Sequence, residues 1–496
     1  MSLKQNVIAN FAGSAWLALM GLAFVPFYIK LMGVESYGVV GIFVTLQAVF
    51  LILDMGLTQS ISRELARLSA IEGGFQRMAA TLRTMEMVYW GVAVLVTLCV
   101  ALLSYPIAFH WVNTDGLTKE QVLKSLLLIA LLMGLRWPVS LYIGGLNGLQ
   151  RQVEVNKYLA IFATAQGAGA LAALWFIAPT LTVFFSWQAL VAAVQFYCFR
   201  RYIVQAVNLN SSVSFDFGVL QEIWRFAAGM TGISLLTTVL TQLDKVLLSK
   251  MLSLKEFGFY IFSATVASVI MRVVAPLFTA YSPKLTALVA HGQQEEQAVT
   301  YHQGCQMMSV LIVPAALVLV FFGHDIVFLW TRDVALANST SVTIALLVLG
   351  NMFNGLVTIP YALQLAHGWT RLAVYQNIAG VVFLAPAIYF LSKEYGGVGA
   401  AFAWMFLNLS YLLIGAPIMY RRFMKGHAWR WIVFDILLPA IPSLILLSFL
   451  KFNIPENGTL ELKVTLVVLC WVASALLAVM FSRQISSRFF GLFRSV

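Results

Sequence analysis

A chain of 496 residues that is 61% hydrophobic and only 10% charged cannot cover a water-facing surface with polar groups, which excludes a soluble globular protein. Its formal charge of +11 comes from Lys and Arg residues lying mostly between apolar runs. The excess therefore reads as membrane topology and attraction to anionic headgroups, and not as a nucleic-acid footprint. Cys99, Cys198, Cys305 and Cys470 each lie inside an apolar run without metal-ligand spacing, so neither a disulfide nor a metal site is expected.

Apolar runs of about 20 residues match a hydrocarbon core of roughly 30 Å at 1.5 Å per helical residue, so the spans are predicted as helices. In chain order they fall near residues 7–30, 37–59, 84–110, 122–147, 156–177, 181–200, 223–250, 257–281, 304–330, 340–363, 372–391, 398–420, 431–450 and 463–482. That makes an all-α integral membrane protein of about 14 transmembrane helices. Lys4 before the first run resembles a signal-peptide start. The next span follows almost at once, however, with no cleavage pattern leading into a soluble domain, so the first helix is expected to be retained. With the N-terminus inside, nineteen of the 31 basic residues fall on the cytoplasmic side, Arg63, Arg67, Arg77, Arg83 and the C-terminal Arg483, Arg488 and Arg494 among them. Both termini are expected in the cytoplasm.

The chain repeats itself. FYIKLMGVESYG (27–38) lines up with LLSKMLSLKEFG (247–258), and the Arg200-Arg201 pair with Arg421-Arg422, at an offset of about 220 residues. Six spans between copies give both the same orientation, a parallel repeat of the kind some transporters use. Two six-helix lobes are expected, 1–210 and 211–425, with two extra C-terminal helices in 426–496. Substrate sites in such proteins lie at the lobe interface near midmembrane.

Charges inside spans are the candidate binding groups. Arg136 sits about 18 Å along its helix from Lys124, too deep to snorkel, and costs roughly 2.5–3.5 kcal/mol or more in hydrocarbon. An aqueous cavity is the favoured home, a helix brace the alternative, and Pro138 beside it implies a bend. Arg272, one turn before Pro276, corresponds to Ile52 in the first copy, so the fold does not impose it. Lys245 and Asp244 lie toward the outer end of the seventh span, and Asp54 and Glu86 near cytoplasmic span ends, where Glu86 is expected to be solvated or ion-paired at the surface beside Arg83 on the same helical face. Amides in apolar runs, Gln47, Gln59, Gln166, Gln195, Gln242, Asn351, Asn354, Gln364 and Asn408, are interhelical glue or sugar-binding groups. GGLNG (144–148) ends a span and binds no phosphate, because no strand precedes it. The histidines, His302 and His427 included, are scattered near span ends and read as interfacial.

NVIANFAGSAW, PFYIKLMGVESYGVVGIF and LQAVFLILDMGLTQSISRELARL together resemble the N-terminal third of the polysaccharide transporter family, the O-antigen type lipid-linked oligosaccharide flippases. Their superfamily also holds the multidrug and toxin extruders and the lipid II flippase. The resemblance implies a twelve-helix core with extra C-terminal spans in a bacterial inner membrane. It further implies movement of undecaprenyl-pyrophosphate-linked glycan to the outer leaflet by alternating access, with polysaccharide assembly proteins as partners. A pyrophosphate suits guanidinium forks, so Arg136, Arg272 and then Lys245 are the expected contacts. No cofactor is expected. Coupling to a proton or sodium gradient through Asp244 or Asp54 is left open. A cation-coupled drug antiporter is the first alternative, disfavoured by basic spans and two additional helices. A polyprenyl-dependent glycosyltransferase or O-antigen polymerase is the second, disfavoured by short external loops.

Overall fold

The computed structural model describes residues 3–54, 56–69, 71, 74–207, 215–453 and 460–481. The boundary expected near residue 210 and the basic residues Arg483, Arg488 and Arg494 lie outside them. Among the described residues the backbone is helical nearly throughout and forms no strand, only an isolated bridge between Asn113 and Ser253. Among the described residues eleven stretches are long and apolar enough to cross a membrane, including Arg371–Phe423, which runs through two of the spans expected from sequence. The protein is an all-α, multi-pass membrane protein.

Two compact units divide the chain, Met1–Gly258 and Phe259–Val496. The first carries α1 (Leu3–Ala23), α2 (Val25–Met32), α3 (Val34–Phe50), α4 (Leu57–Ser69), α5 (Phe75–Pro106), α6 (Lys119–Gly148), α7 (Gln152–Phe176), α8 (Leu181–Val207) and α9 (Phe217–Met251). Helix α6 is its centre, packed on α4, α5 and α8. It starts with a capping box, in which Thr118 accepts from the Gln121 amide and the Gln121 side chain accepts from the Thr118 amide. It ends on GGLNG, where a Cβ on Gly148 would lie 2.2 Å from the Ser62 carbonyl oxygen. These glycines let α4 and α6 approach backbone to backbone, the small-xxx-small device of membrane helices. The second expected span is shorter than its apolar run, because the backbone tightens into a 3-10 turn at Leu51–Asp54 and restarts as α4. Helix α4 is amphipathic. Leu57, Ile61, Leu65 and Leu68 are buried on one face at helical spacing, while Arg63 and Arg67 are exposed.

The second unit begins within α10 (Leu254–Ala290) and continues through α11 (Gln294–Thr331), α12 (Val334–Leu356), α13 (Thr358–Ala366), α14 (Arg371–Ser410), α15 (Ala416–Phe423), α16 (His427–Arg430), α17 (Leu438–Asn453) and α18 (Leu460–Phe481). Here α11 is the central helix, packed on α12, α17 and α18, and α17 also packs on α18. Asp333 caps α12 by accepting from the Leu336 amide at 3.0 Å. Gly396, at φ +56°, breaks α14 between the two spans that the sequence places there. Short π-helical turns replace α geometry at Tyr411–Gly415 and Trp431–Leu437.

Candidate functional site

Arg136 is half-buried on α6, and its neighbours come from two other helices. Its Nη2 donates to Gln188 Oε1 of α8 at 3.1 Å, and its guanidinium carbon stands 5.3 Å from the centre of the Phe43 ring of α3. The amide of Gln188 donates in turn to the Gln166 carbonyl of α7 at 3.3 Å, and the Gln166 side chain donates to Gln195 at 3.3 Å. An amide chain on two helices, α7 and α8, thus holds one corner of the guanidinium. Its Nε is buried and has no hydrogen-bond partner. Among the described residues no carboxylate pairs with Arg136. A cation with one neutral partner, one ring face and an unused buried donor retains most of its capacity for an anionic oxygen. Gln188 is absent from the amides singled out in the sequence, although it interrupts an apolar run as Gln195 does.

The remaining candidates are placed differently. Lys245 donates to the Thr241 carbonyl at 2.9 Å and to Asp244 at 3.3 Å, so its charge is already met by an adjacent carboxylate. Asp54 accepts from the Tyr89 hydroxyl at 2.7 Å, from the Thr58 hydroxyl at 2.7 Å and from the Thr58 amide at 3.3 Å. It thereby ties the start of α4 to α5. Arg272 is exposed on α10, in the second unit. The first unit brings Arg136, Asp54, Lys245 and Asp244 into one body without joining them in a single described hydrogen-bond network.

Several polar groups serve as glue. Asn354 donates to Asn408 at 2.8 Å, and Asn351 links the Ala267 carbonyl to the Trp404 indole, at 2.9 and 3.1 Å. Glu86 is ion-paired to Arg83, as the sequence spacing implies, but it is buried and not solvated: Arg200 and Tyr142 reach its other oxygen at 2.6 and 2.8 Å. The interfacial expectation for His302 needs correcting. His302 is fully buried, bonded through Nδ1 to Asp435 and through Nε2 to His427 Nδ1 at 3.0 Å. Histidine spacing concealed this because the partners are more than a hundred residues apart. Asp435, a lone acid in the apolar run WIVFDILL, was the available signal.

Comparison with known proteins gives these features a setting. A family model described as "Polysaccharide biosynthesis protein" matches residues 3–289. A Shigella flexneri protein that carries the name O-antigen transporter is 21% identical over 406 residues, covering 82% of this chain and 94% of its own. The lipid II flippase MurJ, in an inward closed conformation, superposes with a TM-score of 0.68 at 12% identity, covering 96% of this chain and 98% of its own. An inward-facing multidrug resistance transporter of the MATE family gives 0.67 at 11% identity, over 82% and 94%. The chain belongs to the polysaccharide biosynthesis protein family and has a flippase-like membrane fold.

Proposed function

We propose that the protein flips undecaprenyl-pyrophosphate-linked oligosaccharide, an O-antigen or related surface-polysaccharide repeat unit, from the inner to the outer leaflet of the bacterial cytoplasmic membrane by alternating access. The observation that carries this reading is Arg136, a half-buried guanidinium within a span, held by an amide and a ring, with no described carboxylate against it and a buried donor to spare. Guanidinium forks match diphosphate oxygens, and the low-dielectric surroundings strengthen that attraction. Arg272 is the second proposed contact. Lys245 ranks below both because Asp244 compensates it. The glycan would take the polar groups of the site while the polyprenyl tail stays in lipid. Both termini face the cytoplasm in this reading, assembly proteins supply and accept the glycan, and an ion gradient acting through groups such as Asp54 or Asp244 drives the cycle.

The test is flipping of an undecaprenyl-pyrophosphate oligosaccharide in proteoliposomes, comparing the unaltered protein with Arg136→Ala and Arg272→Ala at matched folded insertion. Loss of a bidentate charged contact is expected to lower the rate at least tenfold for Arg136→Ala, about 1.4 kcal/mol or more. Normal flipping by that variant would make Arg136 a brace. Exchange of organic cations in place of any lipid movement would favour the antiporter.

A further inference from the structure

We propose that His302, His427 and Asp435 form a proton-binding site in the second unit, loaded through His427, that supplies the transporter's response to a proton gradient. The coupling part rests on the flippase reading; the proton site itself rests on geometry. Asp435 sits on the π-helical turn Trp431–Leu437, completely buried, and its two oxygens meet Gln306 Nε2 at 2.9 Å and His302 Nδ1. Neither partner is a fixed cation. Among the described residues no guanidinium or ammonium bonds this carboxylate, so with a neutral imidazole the cluster carries an uncompensated buried negative charge, an expensive arrangement. One added proton removes that charge.

The route for the proton is set by the ring nitrogens. Nδ1 of His302 faces a carboxylate and therefore carries hydrogen, which leaves Nε2 as the acceptor in the neutral ring. His427 Nδ1, 3.0 Å away, must then be the donor on that line. His427 is half-buried, whereas His302 is sealed, so the line opens outward at His427. A proton arriving on His427 Nε2 lets the Nδ1 hydrogen of the same ring pass to His302 Nε2. His302 becomes an imidazolium beside Asp435, and His427 returns to neutrality as its other tautomer. One proton enters and one positive charge appears. Among the described residues, the other titratable or charged groups facing the cluster are Tyr301 and Cys305 on α11, Tyr420 on α15 and Arg430 on α16. Tyr301 and Tyr420 bond each other by their hydroxyls. Arg430 lies on the exposed side near His427. In the orientation expected from the charge distribution, this end of α11 faces the cytoplasm. Short π segments are common at functional sites, and here one delivers the acid.

The test uses full-length protein labelled with nitrogen-15 histidine in lipid nanodiscs, with resonances assigned by His302→Gln and titrated from about pH 8 to 5, the range in which imidazoles exchange protons. His302 is expected to change from neutral ring to imidazolium, and Asp435→Asn to alter that change because the counter-charge is gone. A ring that keeps one protonation state throughout, or a transition indifferent to Asp435→Asn, overturns the site. Should Asp435→Asn fail to fold, His427→Gln, at the surface end, is expected to slow proton exchange at His302; an unchanged exchange rate overturns loading through His427. In proteoliposomes, stimulation of glycan-lipid flipping by an imposed pH gradient is expected to be lost in His302→Gln, and undiminished stimulation overturns the coupling. If the unaltered protein flips no glycan lipid while His302 titrates as described, the flippase reading falls and the proton site stands.

Discussion

Each unit buries a carboxylate in a hydrogen-bonded cluster, and the two clusters are built from different chemistry. Glu86 of α5 and Gln306 of α11 are separated by the repeat offset of about 220 residues, so each hub has a residue at the same place in its copy. In the first unit the carboxylate belongs to that position, and two guanidiniums answer it from Arg83 and Arg200, with the Tyr142 hydroxyl as a third donor. In the second an amide occupies the position, the carboxylate arrives from Asp435, and the answering groups are imidazoles. Arginine is charged at every physiological pH and histidine is not. The first hub is a fixed brace by composition, whereas the second changes charge with its surroundings. The difference lies in which cation each unit supplies, since both acids are buried to a similar degree.

The largest effect should come from stranding the acid of the fixed hub. Glu86 is 2% exposed, whereas Arg83 and Arg200 are 37% and 41% exposed and could hydrate without it. Removing both cations by Arg83→Met with Arg200→Met is therefore expected to cost about 3–5 kcal/mol, the range for a buried charge left alone. Thermal unfolding in detergent measures it. Adding Glu86→Gln to that pair should restore part of the loss, since no charge then remains to strand. A triple variant no more stable than the double would mean that packing, not charge, holds this region.

A smaller and more pointed effect is expected from making the first hub resemble the second. Arg200 bonds Glu86 through Nε, and the Nε2 of a histidine ring is as many bonds from Cβ, so Arg200→His can keep the contact. An imidazole beside a carboxylate has its pKa raised on folding. Its contribution is fully present below the unfolded value near 6.5 and lost as pH rises through the folded value. For a rise of one unit the difference is about 1.4 kcal/mol. Unfolding midpoints of this variant should thus fall, relative to the unaltered protein, between about pH 6 and 9. A constant gap across that range would show that the imidazole does not reach Glu86.

What the sequence made legible follows the same division between local and distant partners. Apolar run length dictates helices in a bilayer, and Arg83 and Glu86 share a helical face at a spacing of three, so both are open to reading from one segment. The break at Leu51–Asp54 was not, because an apolar run continues through it and only the packing of amphipathic α4 reveals the turn. Arg136 was conspicuous as a charge in a span. Its actual support, Gln188, lies on another helix 52 residues away, and helix rotation that sequence periodicity leaves undetermined decides which amide reaches it. His302 and Asp435 are 133 residues apart, and each looks like an isolated polar interruption until α11 packs against the turn before α17.

The smallest predicted effect separates burial from pairing. Glu64 and Arg67 on α4 repeat the carboxylate–guanidinium chemistry of the Glu86 hub at the surface, with Arg67 Nε donating to Glu64 at 3.1 Å and the guanidinium 47% exposed. The hydrogen bond from Arg67 holds the Glu64 carboxyl below its usual range, with the nearby charges of Arg67, Arg77 and Arg63 adding to the effect against partial burial. A lowered carboxyl stabilises the fold above its unfolded pKa, and that contribution disappears as pH falls through the folded value. Solvent screening leaves little of it: Glu64→Gln is expected to cost about 0.3–0.5 kcal/mol near pH 7, less in high salt, and nothing once acid has protonated the carboxyl. Midpoints measured at pH 7 and pH 3 on the two proteins would show this convergence. If Glu64→Gln instead cost as much as stranding Glu86, pairing alone would account for the first hub, and the burial that sets it beside Asp435 would carry no energetic meaning.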